Sequence, residues 1–308
     1  MKSHEQKKKQ SVPVMTPEKE DRLDPFRRVS RSRPQIAFLD IPTNGMQGGD
    51  PAPLLLLHGV GSAAATFAEL IPLLDGRRII APDYRGHGAS EAPPPPYVMD
   101  DFVADILRLL DELGVAAVHV AGFSIGALFA ERLAILAPER VASLVLLNSI
   151  GARTPEQKER AATRLALIEA TPPAELAWRS AERWFTPAFL AANRDLVARE
   201  VGIVSNVAHA PYAAAYRVLV ENDLVDAVGV IACPALVVTG ELDEGSTPAM
   251  SEALHRQLAG SRLVVVPGVK HYIHIEQPAT LAREINAFLA GIDPAAARHA
   301  ETTAATRR

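Results

Sequence analysis

The chain has 308 residues, 48% of them hydrophobic, with 24 prolines, one cysteine and a formal net charge of −4. That length suits one large α/β domain carrying an insertion, and the lone Cys233 excludes an internal disulfide and fits a reducing, cytoplasmic setting. Charge is uneven: residues 1–33 hold ten Lys/Arg against five Asp/Glu, leaving the remainder near −9, without the basic footprint that nucleic-acid binding requires.

Residues 1–33 read as a disordered basic tail. After Lys7-Lys8-Lys9 comes QSVPVMTPEKEDR, which lacks the apolar core of a signal peptide, and nowhere do 18 apolar residues run together to span a membrane. From there short apolar runs predict strands at 35–41, 54–57, 77–81, 116–121, 141–147, 234–239 and 262–266. Apolar residues recurring every three or four positions predict helices at 66–74, 100–113, 125–136, 247–259 and 278–290. This alternation implies a parallel sheet covered by helices, with its core at 34–149 and 226–292. Over 150–225 the strand signal vanishes, and Pro155, Pro173, Pro187 and Pro211 each stand where a first helical turn can begin, so this interval is expected to be a helical cap. Residues 293–308 carry no core pattern and read as a mobile tail. No feature reports on oligomeric state.

Chemistry enters at AAVHVAGFSIG (116–126), where Ser124 stands between Gly122 and Gly126 after a β-branched run. A strand turning sharply into a helix leaves such a serine exposed in a strained conformation, the G-x-S-x-G nucleophile elbow. A serine hydroxyl is a weak nucleophile at neutral pH, so it needs a base, an acid to orient the base, and donors for an oxyanion. In LLLLHGVG the loop after the four leucines places the Val60 N–H to point toward Ser124, with the Ile125 N–H as second donor. For the acid, PALVVTGELDEGSTP offers Asp243, favoured as the inner member of its turn over Glu241 and Glu244; the end of the preceding strand offers only Asn148, which cannot ionise. For the base, the order Ser…Asp…His leaves His255, His271, His274 and His299, of which His271 is the first on a loop after a strand. Paired with His274 it makes a poor zinc site for want of nearby carboxylate or thiolate ligands, and no metal is expected. Asp83, Arg85 and His87 in APDYRGHGAS read as supports for the strand-end loops, and Trp184, His209 and Tyr212 in the cap as candidates to line an acyl pocket.

Taken in order, H-G-x-G at 58–61, D-x-R-G-H-G-x-S at 83–90, G-x-S-x-G at 122–126, G-x-x-D at 240–243 and H-x-x-x-x-E-Q-P at 271–278 resemble the α/β-hydrolase superfamily. The cap segment ERWFTPAFLAAN and the VVTGELDEGSTPAM loop look most like 3-oxoadipate enol-lactonases and related carboxylesterases. The resemblance implies a mostly parallel eight-stranded sheet flanked by helices, a Ser124–Asp243–His271 triad, no cofactor, and a small-molecule ester or lactone as substrate. Two other activities on this fold share the triad: hydrolysis of a carbon–carbon bond in meta-cleavage products, and slow-turnover reception of small lactones.

Overall fold

In the computed structural model, which describes residues 22–43 and 52–292, eight strands join in one sheet. They are β1 (Arg27–Val29), β2 (Ala37–Ile41), β3 (Leu54–Leu57), β4 (Ile79–Pro82), β5 (Val118–Phe123), β6 (Val141–Leu147), β7 (Ala235–Gly240) and β8 (Arg262–Val266), in the order β1-β2-β4-β3-β5-β6-β7-β8. β2 runs antiparallel to both neighbours, and every pair from β4 onward is parallel. This is the mostly parallel eight-stranded sheet that the motif order implied.

Both faces of the sheet are covered, which is why its central strands read as unbroken apolar runs and not as alternation. Leu55, Leu57, Val120, Leu144 and Val237 point to one side, onto α1 (Met99–Glu112), α2 (Ile125–Leu136) and α8 (Pro248–Gln257). Leu54, Leu56, Val145, Leu236 and Val238 point to the other, onto α10 (Pro278–Ile292) and the segment leading into it, which includes the short α9 (Ile273–Glu276). Register aligns the strand ends: Leu57 pairs with Gly122, Phe123 with Leu147, and Leu147 with Val238. The loops leaving β3, β5, β6 and β7 therefore open along one edge, the usual place for a site in a parallel sheet.

Between β6 and β7 stand five helices, α3 (Pro155–Ala170), α4 (Pro173–Trp184), α5 (Pro187–Ala192), α6 (Arg194–Ser205) and α7 (His209–Glu221). Pro155, Pro173 and Pro187 are first helical residues, where a missing N–H costs nothing. Pro211 is the third residue of α7. Thr154 and Gln157 close a reciprocal cap on α3.

Two expectations are corrected. The basic tail does not extend to residue 33: Leu23 is buried, β1 pairs with β2, and the Glu112 carboxylate accepts the Arg31 and Ser32 N–H groups. A three-residue edge strand with two arginines has no periodicity to read. Residues 1–21 and 293–308, the remainder of the two expected tails, lie outside the described residues. The helix expected at 66–74 is a pair of 3₁₀ turns, Ala64–Glu69 and Ile71–Leu73, because Pro72 has no N–H to continue an α-helical ladder.

Candidate active site

β5 ends at Phe123 and α2 begins at Ile125, so a single residue, Ser124, makes the whole turn. Its backbone adopts φ 57°, ψ −119°, a region L-residues enter only under constraint. The constraint is packing of main chain on main chain. A Cβ on Gly122 would lie 2.2 Å from the Gly126 carbonyl oxygen, and one on Gly126 would lie 2.3 Å from that of Leu57, so the strand and helix close to this distance only with glycine on both sides. The Ser124 N–H is tied to the Leu147 carbonyl (2.9 Å), which leaves the side chain facing the sheet's open edge.

Asp243 lies three residues past β7 and is nearly buried, and its Oδ2 is 2.6 Å from Nδ1 of His271, on the loop after β8. Burial would push this carboxyl up, but the facing imidazole, the Ser246 N–H (3.0 Å) and the Asn148 amide (2.7 Å) together hold it below the ordinary carboxylate value. The Gly245 N–H adds a further bond at 2.8 Å. Asp243 is thus an anion with most of its acceptor capacity used. With Nδ1 turned to it, His271 has Nε2 left for the cavity, and its ring packs 4.9 Å from that of Phe123, the residue before Ser124. Glu241 accepts the Gly268 N–H and Glu244 reaches only Lys270, so neither rival meets an imidazole.

Asn148 cannot ionise, yet it has a place at the site. The structure shows that it holds Asp243 from the position one residue beyond β6 where an acid could have stood, with φ 49° to aim its amide.

Val60 follows Gly59, whose added Cβ would come within 3.6 Å of Ser124 Cβ, so the β3 loop passes directly over the serine. Ile125 is the first residue of α2, where the N–H groups have no helical acceptor. The loop is held from below. Asp83 accepts the N–H groups of Ala64 (2.7 Å) and Ala89 (3.0 Å) and pairs with Arg27 (3.4 Å), and Arg85 makes a two-point pair with Asp105. His58 accepts the Tyr84 N–H, and burial holds it and His87 neutral, each pushed down to about 3. Asp83, Arg85 and His87 do not face the cavity, in keeping with their reading as supports.

The cavity encloses about 350 Å³ between the strand ends and the cap, and is lined by Ser124, Asp243, His271 and Val60. Of the cap candidates, Trp184 and Tyr212 line it. His209 does not: its Nε2 meets the Ile168 carbonyl at 2.6 Å and ties α7 to α3, a correction to its expected place in the pocket. Sequence reading missed Arg153, Arg160, Arg164 and Arg183, which also face the cavity. The signal available was their spacing with Gln157 and Ser180 along one side of α3 and α4.

A family described as the alpha/beta hydrolase fold matches residues 52–278. By sequence, the chain is 28% identical over 256 residues to 3-oxoadipate enol-lactonase 2 of Acinetobacter baylyi, covering 83% of this chain and 94% of that protein. It is 29% identical over 246 residues to the (E)-2-((N-methylformamido)methylene)succinate hydrolase of the same organism, covering 78% and 91%. By structure, the enol-lactonase of Burkholderia xenovorans LB400 superposes with a TM-score of 0.77 at 25% identity, covering 85% of this chain and all (100%) of that one.

Proposed function

Because the chain belongs to the alpha/beta hydrolase fold family, we propose that it hydrolyses a carboxylic ester or lactone of a small molecule through an acyl-serine intermediate. His271 Nε2 takes the Ser124 hydroxyl proton as Oγ attacks the scissile carbonyl, and Asp243 holds the imidazole in the required tautomer and stabilises its charged form. The Val60 and Ile125 N–H groups receive the oxyanion. Collapse expels the alkoxide, which takes the proton back from His271. A water activated by the same imidazole then attacks the acyl carbon, and the acid leaves with Ser124 restored. No step calls on a cofactor.

The observation that carries this reading is the positive-φ Ser124 sharing one cavity with an imidazole whose far nitrogen is bonded to a buried anion. The enol-lactonase likenesses in sequence and in structure support the ester or lactone over other acyl chemistry. Its test is labelling with a fluorophosphonate followed by peptide mapping. Ser124 is expected to carry the label and Ser124→Ala none, with kcat on para-nitrophenyl esters reduced by about 10⁴-fold or more. A folded protein in which Ser124 stays unlabelled overturns the proposal. A meta-cleavage dienoate assayed beside the esters is expected to be the poorer substrate.

A further inference from the structure

Facing the cavity, α3 does not present the apolar stripe that a cap helix ordinarily turns inward. Gln157, Arg160 and Arg164 recur at three- and four-residue spacing on that side, and Arg183 and Ser180 of α4 stand across from them. Two arginines four apart repel one another, and a chain of net charge −4 has no general excess of cations to explain their gathering.

Two of these guanidinium groups, those of Arg164 and Arg183, lack a counterion, whereas Arg160 donates to the Glu156 carbonyl and stands within charge reach of its carboxylate. Arg153 is matched by Asp223 and donates to the Val220 and Asn222 carbonyls, which makes it part of the wall. Among the described residues, Arg164 and Arg183 form no ion pair with any carboxylate. Arg164 is held in place by the Ser180 hydroxyl. Arg183 and Arg164 both stand near enough to the Tyr212 and Tyr216 hydroxyls to act on them by charge. The acidic groups on the cavity are already engaged or peripheral: Asp243 with His271, and Glu244 at an exposed position beside Lys270. A guanidinium fork with donors to spare, in a partly desolvated cavity, is a receptor for a planar oxyanion.

We propose that Arg164 and Arg183, with Arg160 on the same side of α3, bind a free carboxylate of the substrate, so that the substrate class is an acidic ester or lactone and not a neutral one. This rests on the hydrolase reading for its scissile bond. The volume of about 350 Å³ holds on the order of a dozen non-hydrogen atoms at the ~30 Å³ share of a water, enough for a short acyl chain ending in a carboxylate.

The experiment compares two activated esters of similar length, mono-para-nitrophenyl glutarate, which keeps a free carboxylate, and neutral para-nitrophenyl pentanoate. Expected is a kcat/KM at least about tenfold higher for the glutarate ester, a preference that shrinks as salt rises. Arg164→Gln and Arg183→Gln are each expected to lower kcat/KM for the glutarate ester by about 10- to 100-fold, mostly through KM, while the neutral ester stays within about threefold. Equal rates on both esters, or equal losses on both in the variants, overturn the proposal. Fluorophosphonate labelling of Ser124 in every variant keeps the two readings apart: a labelled enzyme without acid preference loses only the proposal made here. If Ser124 is unlabelled, calorimetry with glutarate decides, since binding by the wild type that is lost in Arg183→Gln supports the carboxylate site and no binding overturns it.

Discussion

Asn148 and Asp83 are two buried polar residues with different duties. The Asn148 amide is 2.7 Å from the carboxylate oxygen of Asp243 that also meets His271. Asn148→Ala removes a bond to a charged acceptor, and unfolding in urea is expected to show a loss of about 1.5–3 kcal/mol, with kcat reduced as the His271–Asp243 pair loosens. Asp83 serves the loops, accepting two backbone N–H groups away from the cavity. Asp83→Asn turns one acceptor into a donor facing a donor. Its expected result is a fall of several degrees in Tm with kcat within about threefold, and equal losses in both would place Asp83 in the chemistry instead. Ser124, Asp243 and His271 were legible because each follows an apolar run in the required order. Arg160, Arg164 and Arg183 were not, because a charged stripe on an alanine-rich helix ordinarily faces water and only the way α3 and α4 meet over the sheet turns it inward.

At the level of elements, legibility followed the length of the apolar run. The strand predictions from 54–57 onward lie within about two residues of β3 to β8, because burial on both faces leaves no polar interruption. β1 escaped because three residues with two arginines pack mainly by pairing at an edge. The strand–helix turn at Ser124 is the element with the least tolerance. Gly126→Ala would set a methyl 2.3 Å from the Leu57 carbonyl oxygen, contact with main chain that no rotamer relieves. That variant is expected to lose several kcal/mol, seen as a large drop in Tm or as insoluble protein, whereas Gly260→Ala, with nothing near its Cβ, costs only the strain of its positive φ, about 1 kcal/mol.

For the whole molecule, buried titratable groups set a stability optimum. His58 and His87 are pushed from 6.5 down to about 3 by burial, so below pH 6.5 the unfolded chain binds protons that the folded one refuses, and stability falls as pH drops. Glu131, buried under the Ser149 hydroxyl, is pushed from 4.5 up to about 8, so between these values the folded protein holds a proton that the unfolded chain has released, and stability falls as pH rises. With His274, which burial likewise holds neutral, three histidines outweigh Glu131 until close to neutral pH, above which the glutamate prevails at up to ~1.4 kcal/mol per pH unit. Urea unfolding from pH 5 to 9 is expected to peak near neutral pH, and Glu131→Gln is expected to flatten the alkaline limb. The cap is fastened unevenly to this body. The end of α4 is clipped to the His271 loop by Tyr272 N–H to Trp184 (3.0 Å), by Lys270 to Glu182 (2.9 Å) and by Trp184 stacked on Tyr272, while α6 reaches Thr66 through Glu200 (2.8 Å). α3 holds chiefly to α7, through Arg217 to Glu169 and His209 to Ile168, whereas α7 itself packs on the body through Ala215 and Val218 and lays Tyr212 against Gly61. Any breathing of the cavity is therefore expected to be one-sided: α4, α6 and α7 stay seated like a doorframe, since lifting α4 would pull on the His271 loop, and α3, which reaches the body mainly through α7, is the leaf expected to swing.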